Sequence, residues 1–243
     1  MVRKIRCIAI LAAMSSELKS VRRYLGIECV PEYGHIDCSG TYKGITVITA
    51  VTKMGLVAAQ SATEEIFLKY GATIDHLFAV GIAGANDVSL NIGEVVIPES
   101  VVDERDGITR YPVNLSDRQP SGVIYSTDQL CYDTNFVAML QSKNVSLVDM
   151  ESGAIAAVCE RNHCPFTIIR AVSDKVDKHA ENFEVFHLAN DDGSPRYMAA
   201  ARYILAKPWR INYLVSMALG AKKAIDASSA ELIKNIEKLL VRV

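Results

Sequence analysis

A chain of 243 residues that is 50% hydrophobic can bury a sizeable core, as one large α/β domain or two small ones. Its 26 basic and 28 acidic residues leave a formal charge of −2, with neither sign visibly segregated, which argues against a nucleic-acid or acidic-membrane partner. No segment has the ~20 uncharged apolar residues that a membrane span needs. No Pro-, Gly- or Ser-rich linker and no internal repeat divides the chain, so residues 1–243 read as a single domain with a helical C-terminal extension from about 195.

Basic residues up to Arg6 precede an apolar run from Cys7 to Met14, as at the start of a signal peptide. The run is short, however, and polar Ser15-Ser16-Glu17 opens a helical pattern at once. A buried first strand followed by a helix with Ser15 as N-cap fits better. Glu17 then stands at the strand's carboxyl end, the edge at which open α/β sheets bind ligands, although a carboxylate near a helix N-terminus also has a purely structural use. Two strands follow, around His35 to Tyr42 and Ile45 to Thr52, joined by a Lys43-Gly44 turn. The Lys53-Met54-Gly55 turn leads into a helix from Leu56 to Lys69. His76 to Val80 is a buried strand ending in Gly81-Ile82-Ala83-Gly84-Ala85, where glycine lets backbone approach a ligand or simply makes a tight turn.

Gly93 to Pro98, Val101 to Asp103 and Gly122 to Ser126 have strand patterns, separated by a polar, turn-rich stretch from Glu104 to Gln119. Asp128 to Asp133 is a candidate site loop, followed by a short helix from Asn135 to Gln141. Next come a strand ending at Val148-Asp149-Met150-Glu151, a helix with Ala154, Ile155, Val158 and Cys159 on one face, and a strand from Phe166 to Asp174. A strand-helix-strand unit predicts two parallel neighbours that bring Glu151 and Ser173-Asp174 to one edge. An arginine inside that last strand, Arg170, is costly unless a carboxylate meets it. Lys175 to Gly193 carries Phe183 and Phe186 among charges and suits a lid. Three helices are expected in the tail, Tyr197 to Leu205, Ile211 to Ile225 and Ser229 to Leu240, with Pro208 separating the first two. The six cysteines lack CxxC spacing and read as reduced, buried thiols in a cytoplasmic protein, and Cys159, His163 and Cys164 are poorly spaced for zinc, so no metal is expected.

Five pieces in order, Ala13-Met14-x-x-Glu17, Lys53-Met54-Gly55, Val80-Gly81-x-Ala83-Gly84, Met150-Glu151 and Arg170-Ala-x-Ser-Asp174, resemble the superfamily of purine nucleoside phosphorylases and 5′-methylthioadenosine/S-adenosylhomocysteine nucleosidases. The resemblance implies a three-layer α/β/α fold with a mixed, partly barrel-like central sheet, usually a homo-oligomer. It also implies cleavage of a purine nucleoside's N-glycosidic bond with water or phosphate, with no cofactor beyond phosphate as a co-substrate of a phosphorylase. Asp174 resembles the acid that protonates the purine, oriented by Ser173; Glu151 the carboxylate on the ribose hydroxyls; Glu17 the base for water, held by Arg170. Met14, Met54, Ala83, Gly84, Leu130, Cys131, Met150 and Phe183 fall where the family binds substrate. Three places depart from the family pattern: Ile82 where a serine is frequent, Asp149 where Glu is usual, and a longer tail from Asp191 to Pro208 that resembles the hopanoid-associated phosphorylases. The phosphorylases' Gly-Asp-Pro-x-Arg loop and the arginine before the Gly-x-x-Gly turn are missing, so hydrolysis of a 5′-substituted adenosine is expected over phosphorolysis, with non-catalytic nucleoside binding as a third possibility.

Overall fold

The computed structural model describes residues 5–29, 37–129, 134–176 and 196–241. β1 (Cys7–Ala12) is buried along its whole length: Cys7, Ala9 and Leu11 join one hydrophobic cluster, and Ile8, Ile10 and Ala12 the other. That alternation makes it a central strand covered on both faces. It pairs in parallel with β3 (Ile45–Val51) on one side and with the first half of β4 (His76–Ala85) on the other. β2 (Asp37–Tyr42) adds antiparallel to β3 at the edge. α1 (Ser15–Leu25) and α2 (Leu56–Tyr70) pack on opposite faces, α1 through Leu18, Val21 and Leu25, α2 through Leu56, Ala59, Ile66 and Phe67.

Beyond β4 the chain forms β5 (Val95–Val96), β6 (Ser100–Asp103), β7 (Thr109–Arg110), β8 (Val123–Ser126), α3 (Thr134–Ser142), β9 (Val145–Asp149), α4 (Ser152–Arg161) and β10 (Phe166–Lys175). α5 (Tyr197–Ala206) and α6 (Ile211–Val241) follow. The ten strands make one mixed sheet, ordered β2-β3-β1-β4-β9-β8-β6-β7, with β10 on β4 and β5 on β10. Helices cover both faces, as expected for a three-layer α/β/α protein, and the sheet does not close.

The expected pairing of β9 with β10 is not found. β10 runs parallel along the whole of β4, from Phe166 opposite Leu77 to Lys175 opposite Ala85. β9 pairs parallel with β8 and meets the tip of β4 antiparallel, Val148 opposite Gly84 and Leu147 opposite Ala85. β4 is long enough to serve three partners, so it stands between the two strands that a short helix connects. The antiparallel contact then runs the chain after Val148 back along β4 toward Gly81, and this aims Asp149 and Glu151 at Arg170, whose register partner is Gly81.

Two further expectations are corrected. The last two helices are one: α6 continues through residues 226–228, where a gap was expected, and it also holds Gly220, where a Cβ would come within 2.7 Å of the Ser173 carbonyl oxygen, so glycine permits the helix to lie against β10. Cys29 and Cys38, expected to be reduced, are joined as a disulfide with Cα atoms 5.4 Å apart, while Cys7, Cys159 and Cys164 are free and buried.

Candidate active site

Glu17 is delivered by the start of α1. The N-cap is Met14 rather than Ser15, since Met14 keeps extended backbone and its N–H donates to Glu17 Oε2 at 2.9 Å. The other oxygen, Oε1, accepts the Ile82 N–H at 3.1 Å, so the carboxylate ties α1 to the middle of β4. Only 2% of Glu17 is exposed. Burial pushes its proton affinity up, opposed by the Arg170 charge and by the backbone donors.

Arg170 is 1% exposed. Its Nε donates to Asp149 Oδ2 at 2.8 Å and to Ser152 Oγ at 3.1 Å, and Nη2 reaches Glu151 Oε2 at 3.5 Å. Nη1 points at Gly81, where a Cβ would lie 2.2 Å from it and 2.7 Å from Glu17 Oε1. A side chain at that position is therefore excluded by the guanidinium and the carboxylate together. Burial opposes the Arg170 charge, but Asp149, Glu151 and Glu17 outweigh it and keep the group ionised.

Glu151 is the N-cap of α4, 5% exposed, and also accepts the Gly55 N–H at 3.4 Å. Burial raises its pKa to about 8; Arg170 pulls it down, while Asp149 and Glu17 push it further up. With three carboxylates around one guanidinium, the cluster holds on to a proton near neutrality.

Asp149 was expected only as a shortened carboxylate, and its work in the structure went unrecognised in the sequence. Besides Arg170, it accepts Ser126 Oγ at 2.5 Å and the Ser152 N–H at 3.3 Å, and it bonds the Ser152 hydroxyl. It thereby caps α4 and anchors the arginine. The Asp-x-x-Ser spacing at the end of a buried strand is a cap signal legible in the sequence. Asp128, placed in the candidate loop, accepts the Leu56 N–H at 2.7 Å and so caps α2 from a distance.

Asp174 sits four residues after Arg170 on β10, half-buried, opposite Gly84. The Ser173 hydroxyl lies within bonding reach of Asp174 Oδ1 and of the Ala83 carbonyl, the latter at 3.2 Å. Burial raises the affinity of Asp174 for a proton, and the Ser173 contact opposes that. Glu17, Glu151 and Arg170 are thus brought together, with Ser173, Ala83 and Gly84 gathered at Asp174 further along the same two strands. Met14, Met54 and Met150 are half-buried beside Glu17, Gly55 and Glu151 in sequence. Leu130, Cys131 and Phe183 lie outside the described residues, as does all of the expected lid except Lys175 and Val176, which continue β10 by the Val176 N–H donating to Ala85 at 2.8 Å.

Comparison with known proteins places the chain and its fold. The chain is 26% identical over 210 residues to the aminodeoxyfutalosine nucleosidase of Helicobacter pylori strain ATCC 700392 / 26695, covering 74% of this chain and 90% of that protein. Its fold matches the crystal structure of H. pylori 5′-methylthioadenosine/S-adenosylhomocysteine nucleosidase with a TM-score of 0.74 at 20% identity, covering 97% of this chain and 100% of the other. The corresponding Colwellia psychrerythraea nucleosidase, solved with adenine, gives 0.71 at 21% identity over 98% of each chain. The family model described as the phosphorylase superfamily matches residues 7–121 and 113–206, and the chain belongs to that superfamily.

Proposed function

We propose that this protein hydrolyses the N-glycosidic bond of a purine nucleoside, with a 5′-substituted adenosine as substrate. The carrying observation is the placement of Glu17. Its carboxylate occupies the Ile82 N–H and lies against Gly81 beside Arg170, where a phosphate co-substrate would meet a buried negative group instead of a free donor. Arg22, a candidate replacement for the missing phosphate arginines, donates instead to Thr49 Oγ1 at 2.8 Å, and Thr49 pairs with Cys38 on the far side of β3 from β1. The names of the relatives, nucleosidases for aminodeoxyfutalosine and for methylthioadenosine/S-adenosylhomocysteine, support hydrolysis and a substituted 5′ position.

In this reading Asp174, which burial helps to keep protonated, donates to the purine as the bond to C1′ breaks, and the base leaves neutral. The electron-poor sugar develops beside Glu151, whose ionised form the ribose hydroxyls favour by donating to it. Glu17 takes a proton from the attacking water, whose oxygen bonds C1′ and gives the free sugar. Arg170 holds both glutamates in place.

The test is Glu17→Gln. A base for water predicts nucleoside binding retained and hydrolysis reduced by ~10²-fold or more. Retained turnover, with only a small loss of stability, would reduce Glu17 to a helix-terminus charge.

A further inference from the structure

The loops after β6, β8 and β9 carry Glu104, Asp128 and Glu151 in turn, and of these only Glu151 has a part in the reaction described above. The other two make a chain of contacts that ends on it. The Asp128 N–H donates to Glu104 Oε1 at 2.8 Å and the Thr127 hydroxyl to Oε2 at 2.5 Å, while the Thr127 N–H donates to the Asp149 carbonyl at 2.9 Å. Asp128 is thus anchored to both neighbouring loops. Its Oδ1 accepts the Leu56 N–H at 2.7 Å, and one residue earlier the Gly55 N–H donates to Glu151 Oε1 at 3.4 Å.

α2 brings no cap of its own, since its N-cap is Gly55 and its first turn holds no acidic residue. The turn that enters it is unfavourable by itself, with Lys53 at φ 65° and Gly55 at φ 103°, so outside contacts must hold it. Glu151 depends on that turn. Its Oε2 faces Arg170, and among the described residues the Gly55 N–H is the one donor to Oε1.

We propose that Asp128 is a positioning residue for Glu151: by holding the Leu56 N–H it fixes the Gly55 N–H that turns the Glu151 carboxylate toward the ribose hydroxyls. The two peptide planes meet at the Gly55 Cα, the freest joint a backbone has, and without Asp128 nothing described pins the second plane. Glycine is needed at that joint because a Cβ would lie 3.2 Å from Asp128 Oδ1 and the backbone is left-handed. The proposal rests on the reading of Glu151 as the carboxylate that meets the ribose. The plainer alternative is a cap alone, in which Asp128 steadies α2 and has no bearing on which sugar is used.

The test compares 5′-methylthioadenosine with its 2′-deoxy and 3′-deoxy counterparts on Asp128→Ala and Asp128→Asn, with circular dichroism as the check on folding. Wild type should prefer the ribonucleoside. Asp128→Ala should narrow that preference about tenfold, by lowering kcat/KM for the ribonucleoside and sparing the deoxy analogues, because a misplaced carboxylate loses only what it gives to the hydroxyls. Asp128→Asn, which keeps an oxygen for the Leu56 N–H, should restore it. In protein labelled with 15N-glycine and free of nucleoside, the Gly55 amide should exchange faster in Asp128→Ala than in wild type or Asp128→Asn. An equal loss on all three nucleosides, or an unchanged preference with faster Gly55 exchange, would overturn the proposal and leave a cap. A Gly55 amide indifferent to Asp128→Ala would overturn it as well. These failures differ from failure of the hydrolytic reading, which would appear in wild type as a sugar 1-phosphate product, and from failure of the role given to Glu151, which would appear in wild type as no preference for the ribonucleoside and would overturn the proposal with it.

Discussion

A guanidinium that is 1% exposed keeps its charge only where carboxylates surround it, and Arg170 has Asp149, Glu151 and Glu17. Asp149 bears most of this, because it also satisfies the Ser152 N–H and the Ser126 hydroxyl. Asp149→Ala should therefore cost about 3 kcal/mol or more in denaturant unfolding, by leaving the arginine short of a buried partner. A loss within the ordinary surface range would show that Glu151 and Glu17 suffice. Glu151 makes the opposite contribution. Its folded pKa of about 8 lies above the ordinary value of 4.5, so between those values the folded state binds the extra proton and stability falls as pH rises. Asp174 and Glu17 are shifted in the same direction. Thermal unfolding of the unliganded protein should show Tm declining across that window, with a shallower decline in Glu151→Gln; equal slopes would place the proton elsewhere in the cluster. Asp174→Asn should leave the fold intact and lower kcat by ~10²-fold or more, and turnover near wild type would remove Asp174 from the chemistry.

Two glycines show how elements, rather than single residues, hold the site. At Gly81 a Cβ would sit 2.2 Å from Arg170 Nη1, and at Gly220 one would sit 2.7 Å from the Ser173 carbonyl. In an exposed helix Gly→Ala gains up to ~1 kcal/mol, but Gly220→Ala should instead lower both stability and kcat, because α6 must move off β10. A stabilised Gly220→Ala variant with full activity would show that α6 does not position that strand. The strands and most helices were legible because β1, β4 and β10 are apolar runs and α1, α2 and α4 have clear periodicity. Which strands would be neighbours was not: a short connecting helix argues for β9 beside β10, and only the length of β4 lets it take both edges. The gap expected between Ile225 and Ser229 is helical, since Ser228 and Ser229 are buried in α6 and their hydroxyls donate to the Ile225 and Glu17 carbonyls. The Asp-x-x-Ser spacing makes the capping role of Asp149 legible, but its pairing with Arg170 was hidden, because the local pattern is the same with or without an arginine partner. That Arg170 meets a carboxylate was legible, because a charge inside an apolar strand requires a partner, but that Asp149 and Glu151 are the carboxylates it bonds was not.

Across the whole molecule, the mixed sheet gathers its chemistry at one place by running chains in opposed directions. β4 and β10 carry Gly81, Ala83, Gly84, Arg170 and Asp174 side by side, β1 delivers Glu17 through α1, and β9 returns against β4 to deliver Asp149 and Glu151. The hydrolytic reading rests on that convergence, with a carboxylate where a phosphorylase must hold an anion. The most direct measurement is the identity of the sugar released from 5′-methylthioadenosine by the purified protein, with and without inorganic phosphate. Free methylthioribose at an unchanged rate in both is the predicted result, and methylthioribose 1-phosphate formed only with phosphate present would contradict it.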